Sequence, residues 1–314
     1  MPEIHPDLKR LHANIASVIK GKDEAIQMAI VGMLARGHLL FEDVPGVGKT
    51  TLAQCLARSI SCHFQRIQFT SDLLPSDIIG VTIFDPAKRE FEFKPGPLFA
   101  NLVLADEINR TTPKTQSSLL EAMNTAKVSV DKITHELPRP FIVIATQNPI
   151  EFHGTFPLPK SQMDRFMLRL SLGYPSRNDE MVILREQKTL NVGEALEPVL
   201  DAERFRAMQR EVEEVAVEES ILDYIVRIAR ATRESPRIEL GVSIRGSLSL
   251  RRAAQALAYF EGRNFVVPDD VKRLAVPALA HRLQIASTFE TAHLGEHEDE
   301  KILADLLAEI EVPI

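Results

Sequence analysis

One segment constrains this chain more than any other: Phe41-Glu42-Asp43-Val44-Pro45-Gly46-Val47-Gly48-Lys49-Thr50-Thr51, entered by an apolar run over 38–41 and left by a helical pattern over 50–60. A strand, a glycine-rich turn and a helix N-terminus meet there, so consecutive backbone N–H groups point at one anion site. Phosphate fits it. Gly46 and Gly48, on either side of Val47, let the backbone approach phosphate oxygens. Lys49 reaches the β and γ oxygens, and the Thr50 hydroxyl can ligate Mg2+, with Thr51 beside it in the first helical turn. Asp43 stands where the general phosphate-loop pattern has its first glycine, but the Gly-Val-Gly-Lys-Thr centre is intact. The expected ligands are ATP and Mg2+.

A phosphate loop of this kind needs a parallel sheet behind it, and the first half of the chain supplies the rhythm of one. Short apolar runs at 38–41, 64–69, 102–105, 141–145 and 166–170 alternate with helical patterns, the signature of an α/β domain. Near Pro175 the rhythm changes. From Arg177 onward a period of about 3.6 residues dominates, as in Ile221, Ile225, Ile228 and Ala229, then Leu248, Leu250, Ala254 and Leu257. The chain of 314 residues is long enough for two units. We expect a nucleotide-binding α/β domain over 1–175 and a smaller, all-helical lid over 176–314, with nucleotide in the cleft between them.

Two more strands end in chemistry. Leu102-Val103-Leu104-Ala105 runs into Asp106-Glu107. In a parallel sheet ligands sit at the carboxyl ends of strands, which brings this pair beside the phosphate loop. Asp106 can hold Mg2+ while Glu107 polarises a water for in-line attack on the γ-phosphate. The apolar run 141–145 leads to Thr146-Gln147-Asn148-Pro149, where the Asn148 amide can bond the γ-phosphate or the attacking water without changing the charge balance.

The charge balance narrows the partners. With 37 basic and 44 acidic side chains the net charge is −7, which argues against an obligate nucleic-acid binder, since such binding rests on Lys and Arg neutralising phosphates. The N-terminal stretch lacks the apolar core of a secretory signal, and no run approaches the roughly 18 apolar residues of a membrane span, so a cytoplasmic address is expected. Cys55 and Cys62 read as free thiols. Two segments read as hairpins, with alternating residues around a turn. Val81-Thr82-Ile83-Phe84 and Phe91-Glu92-Phe93 flank Asp85-Pro86-Ala87-Lys88, and Val128-Ser129-Val130 and Ile133-Thr134-His135-Glu136-Leu137 flank Asp131-Lys132.

The ordered set Val44-Pro45-Gly46-Val47-Gly48-Lys49-Thr50, Leu104-Ala105-Asp106-Glu107-Ile108-Asn109-Arg110, Ala145-Thr146-Gln147-Asn148-Pro149 and Met163-Asp164-Arg165-Phe166 resembles a MoxR-family AAA+ ATPase over nearly the whole chain. The resemblance implies a three-layer αβα P-loop NTPase domain with a parallel sheet, followed by a helical lid. It also implies a Walker A at 46–50, a Walker B at Asp106 and Glu107, a sensor at Asn148 and an arginine finger at Arg165. Gly241-Val242-Ser243-Ile244-Arg245-Gly246 resembles the family's second sensor, with Arg245 reaching the γ-phosphate from the lid. Val18-Ile19-Lys20-Gly21-Lys22 resembles its adenine-side segment, and Asp43 is tolerated in the family. The hairpins correspond to inserts that face the channel of a ring. Arg169 falls inside a strand and reads as structural.

What the resemblance implies is a homo-oligomer, a hexameric ring, that couples ATP hydrolysis to conformational work on a protein client. It would act as a chaperone or metal-insertion helper, commonly with a partner carrying a von Willebrand factor A domain. A DNA-dependent motor ATPase shares the hairpins but sits poorly with the acidic charge. A small-molecule kinase would need an acceptor pocket and no arginine supplied in trans, and a nucleotide-binding scaffold without turnover is discouraged by the intact Lys49, Asp106 and Glu107.

Overall fold

The five apolar runs pair edge to edge as one sheet. A computed structural model describes residues 4–148, 155–186, 196–286 and 297–313. Helices α1 (Pro6–Ala16) and α2 (Asp23–Leu34) lead to β1 (His38–Glu42), α3 (Lys49–Ser59) and β2 (Phe64–Gln68). Next come α4 (Pro75–Ile79), β3 (Gly80–Asp85), β4 (Glu90–Pro95), β5 (Leu102–Asp106), α5 (Pro113–Thr125), β6 (Lys127–Val130), β7 (Ile133–Glu136) and β8 (Ile142–Gln147). The order across the sheet is β2-β5-β8-β1, closed at the far edge by β9 (Phe166–Leu170) beside β1, and every neighbouring pair is parallel. In β5 and β8 the residues from Leu102 to Ala105 and from Ile142 to Ala145 are all buried. A strand covered on both faces reads as an unbroken apolar run rather than an alternation.

Alternate residues of these strands serve different cores. Leu39, Phe41, Leu102, Leu104, Ile142 and Ile144 join the buried cluster beneath α1, α2 and α3. Leu40, Val103, Ala105, Val143 and Ala145 join the cluster beneath α5. The result is the helix–sheet–helix layering implied by the resemblance, locked across the sheet by His38. Its Nε2–H donates to the Met123 carbonyl (2.9 Å) while Nδ1 accepts from the Val143 N–H (3.0 Å), and burial pushes the imidazole pKa down to about 4.

After β9, which α6 (Lys160–Met163) precedes, the chain is mainly helical. It runs through α7 (Arg177–Glu186), α8 (Ala202–Glu213), α9 (Glu219–Glu234), β10 (Ile238–Leu240), α10 (Ile244–Phe260), α11 (Pro268–Leu279), β11 (Gln284–Ile285) and α12 (Glu298–Glu309). The antiparallel pair of β10 with β11 is too short to leave a trace in helical periodicity. Asp201 and Ser243 cap α8 and α10 through their side chains, each satisfying an N–H that the first turn leaves free. The apolar faces of α8 to α11 do not form a separate core. Phe205, Met208, Tyr224, Leu250, Leu257, Leu274 and Leu279 belong to the same cluster as Leu39 and Phe41.

Both predicted hairpins form, β3 with β4 and β6 with β7. They touch each other: the Phe93 ring stacks on His135 with centroids 4.0 Å apart and meets Phe99 edge-on at 5.5 Å. Toward the tip of the first hairpin Phe84 and Phe91 are exposed. Among the described residues no helix is long and apolar enough to cross a membrane. Cys55 is buried and Cys62 half-buried, both free thiols, and burial pushes each up to about 12.

Candidate functional site

All five strands of the sheet end on one side, and there the phosphate loop, Asp106 with Glu107, and Asn148 come together at the tips of β1, β5 and β8. Gly46 and Gly48 have φ of 83° and 99°, a left-handed backbone that side chains disfavour. A Cβ on either would meet nothing within 4 Å, so the inner face of the loop is open to a ligand. The Lys49 ammonium reaches back across the loop to the carbonyls of Asp43 (2.8 Å) and Val44 (2.9 Å). Burial lowers its pKa, opposed by the carboxylates of Asp43, Asp106 and Glu107. Thr50 and Thr51 lie in the first turn of α3, and Val47 packs against the adjoining core.

Asp106 is held at both oxygens. Thr146 donates to Oδ1 (2.6 Å), and Arg66 donates to Oδ2 through Nε (3.1 Å) and Nη2 (2.6 Å). Glu107 has φ of 57°, a strained conformation for a residue with a side chain, of order 1–3 kcal/mol. Its N–H is fixed by the Thr146 hydroxyl (2.8 Å), and its Oε2 accepts from Gln68 (2.8 Å) and Arg110 (3.0 Å). Both side-chain bonds fall on one oxygen, which leaves Oε1 as an acceptor. Asn148, buried directly after β8, receives a long contact on its carbonyl from the Asn109 amide (3.5 Å).

These groups suit ATP with Mg2+. The cation's donors from the chain would be one hydroxyl, Thr50, and one carboxylate, Asp106. Such a sparse oxygen set matches a hard ion that takes its other ligands from phosphate and water.

Asp43 has a task that its place in the loop pattern conceals. Its carboxylate accepts from the Leu172 N–H, the Gly173 N–H (3.0 Å) and the Ser171 hydroxyl (3.2 Å), so it ties the root of the phosphate loop to the segment after β9. Asp43→Ala should strand buried donors at a cost of about 2 kcal/mol. For a chain of 314 residues the expected fall in melting temperature is about 3 °C, measured by calorimetry, and a melting temperature unchanged within a degree would deny the tie. Val18 and Ile19, in the turn between α1 and α2, sit on the same side. Lys22 donates to the Tyr174 carbonyl (2.7 Å), and Gly21 lies against the Asp179 carboxylate.

Arg165 and Arg245 are elsewhere. Arg165 immediately precedes β9, whose first residue pairs with the first residue of β1. It therefore lies at the opposite end of the sheet from the loop, a strand length of about 15 Å away. Its Nη1 donates to the Leu120 carbonyl, while its Nε is buried without a hydrogen-bond partner. Burial, and then the nearby Arg245 guanidinium, lower its pKa. Arg245, in the first turn of α10, is at the same end of the sheet as Arg165, away from the phosphate loop of its own chain. The reason is the docking of the lid. Ser243 donates to Asp164 (3.1 Å), and buried Arg282 donates to Asp164 (2.7 Å) and the Phe166 carbonyl (2.7 Å), which fastens the start of α10 to the residues just before β9. Arg169 is structural, buried against Glu42 (3.2 Å), Asp299 (3.0 Å) and Glu300 (2.8 Å).

Three site residues escaped the sequence reading. Arg66 and Gln68 lie two apart on β2, both exposed, a strand alternation that marks a polar face but not what it holds. Thr146 sits in the polar cluster that drew attention to Asn148.

Residues 38–168 match the ATPase family associated with various cellular activities (AAA), and residues 230–305 match the AAA lid domain. The chain is 47% identical over 312 residues to the uncharacterized protein YeaC of Bacillus subtilis, covering 99% of this chain and 97% of that one. It is 39% identical to the chaperone MoxR1 of Mycobacterium tuberculosis, over 90% of this chain and 76% of that one. A crystal structure of a protein from Cytophaga hutchinsonii superposes with a TM-score of 0.90 at 35% identity, over 98% of this chain and 95% of that one.

Proposed function

This chain belongs to the MoxR family of AAA+ ATPases, and from that premise we propose that it hydrolyses ATP with Mg2+ at an interface between its own subunits. The observation that carries the reading is the division of the site. The binding loop and the carboxylates stand at one end of the sheet, while Arg165 and Arg245 stand together at the other, two mutually repelling cations, one with an unbonded N–H. Each chain offers half of a charged site, and a neighbour in a ring, a hexamer by the family resemblance, completes it.

The loop N–H groups and Lys49 bind the phosphates, and Thr50 and Asp106 would hold Mg2+, which would supply charge neutralisation for the phosphates. Glu107 accepts a proton from the attacking water at Oε1, Asn148 orients that water or the γ-phosphate, and the neighbour's two arginines meet the charge that develops in transfer. The product is ADP and phosphate, and the free energy drives motion of subunits rather than chemistry on a second substrate. A protein client fits this output. A relative named as a chaperone supports it, and a cytoplasmic setting with a von Willebrand factor A domain partner or a metal-insertion role extends the same reading.

Lys49→Ala tests the site. Removing a charge-assisted phosphate contact of about 1.5–3 kcal/mol should weaken ATP binding at least about tenfold in a calorimetric titration, and wild-type affinity in the variant would refute the loop assignment. Turnover should need Mg2+ and ignore single-stranded DNA, whereas stimulation by DNA would shift the reading to a DNA-dependent motor.

A further inference from the structure

We infer that Tyr174 stacks on the purine base of the bound nucleotide, an inference that rests on the nucleotide reading above. The direction in which a nucleotide must lie follows from the sheet. The γ-phosphate faces Asp106, Glu107 and Asn148, which follow β5 and β8, on one side of β1. Ribose and base must therefore leave the loop on its other side, where β9 is the edge strand and Tyr174 lies four residues beyond its end at Leu170. The tyrosine is fixed relative to the loop through its backbone. Asp43, the first residue of the loop, accepts from the N–H of Gly173 next to it, and Lys22 holds its carbonyl at 2.7 Å. The residue is 75% exposed, so its ring is open to an arriving base.

A stack reads the face of a base and not its edge, so it favours any purine over a bare phosphate chain. It supplies what the phosphate loop lacks, a preference for a nucleotide over inorganic di- or triphosphate.

The chain has three tyrosines and no tryptophan. Tyr224 is buried, and Tyr259 is stacked on His5, so Tyr174 is the fluorophore that a base can reach. Wild type, Tyr174→Ala and Tyr174→Phe would each be titrated with ADP and with pyrophosphate, in Mg2+, by calorimetry and by tyrosine emission excited beyond the adenine band. The alanine variant should bind ADP about 5- to 100-fold more weakly, the range that a base–aromatic stack is worth, with pyrophosphate affinity unchanged. The phenylalanine variant should bind ADP as wild type does. Emission of the wild type should fall with ADP and not with pyrophosphate, and the fall should vanish in the alanine variant. Wild-type ADP affinity in Tyr174→Ala would overturn the stack and leave the phosphate loop standing. Equal loss of ADP and pyrophosphate would also overturn it, as an effect on loop position. A wild type that binds neither would sink the nucleotide reading itself.

Discussion

Arg165→Ala is expected to cut ATP turnover by about 10³- to 10⁵-fold, the range for removal of an arginine finger, with ATP affinity nearly unchanged. The affinity should survive because Arg165 lies a strand length from the phosphate loop of its own chain, beyond reach of a nucleotide held there. The rate should collapse because a guanidinium at a neighbouring subunit's γ-phosphate is felt mainly as charge spreads over the equatorial oxygens. Steady-state assay beside a binding titration separates the two effects. A sharper form mixes two inactive proteins, Arg165→Ala and Lys49→Ala. In mixed rings some interfaces pair an intact loop with an intact finger, and part of the activity should return. If labelled subunits exchange and none returns, a finger acting in trans at independent sites is wrong.

Glu107→Gln should slow hydrolysis by about 10²- to 10⁴-fold, the scale for loss of a general base, while ATP binding persists. The amide oxygen of glutamine can still accept from Gln68 and Arg110, and the backbone N–H still meets Thr146. The strained turn therefore keeps its shape, and what is lost is the carboxylate oxygen that takes the proton. Single-turnover hydrolysis within a few-fold of wild type would place the base on another group.

Much of the site was legible because its parts are local. A buried strand must surrender its apolar run where it leaves the sheet, so the polar residues after Ala105 and Ala145 announce the strand tips, and the glycine pattern after Phe41 announces the loop. The sheet order then brings them together without further instruction. Arg245 was not legible in the same way. Its neighbours depend on how the lid docks, and that is decided by Arg282 and Asp164, 118 residues apart, through contacts that no periodicity records. The task of Asp43 was hidden for the same reason. Set against the general loop pattern it looks like a lost glycine, whereas its carboxylate bonds lie about 130 residues further along the chain.

The core that runs from the underside of the sheet into α8, α10 and α11 makes the joint between the two parts of this chain a weld rather than a hinge. Flexing it would open a dry apolar seam to water, at roughly 25 cal/mol for each Å² exposed. A lever mounted on such a weld does not bend within its own block. In the ring proposed above it would transmit a push at Arg165 and Arg245 to the far edge of the subunit as rigid rotation, and the give would belong to the joints between blocks.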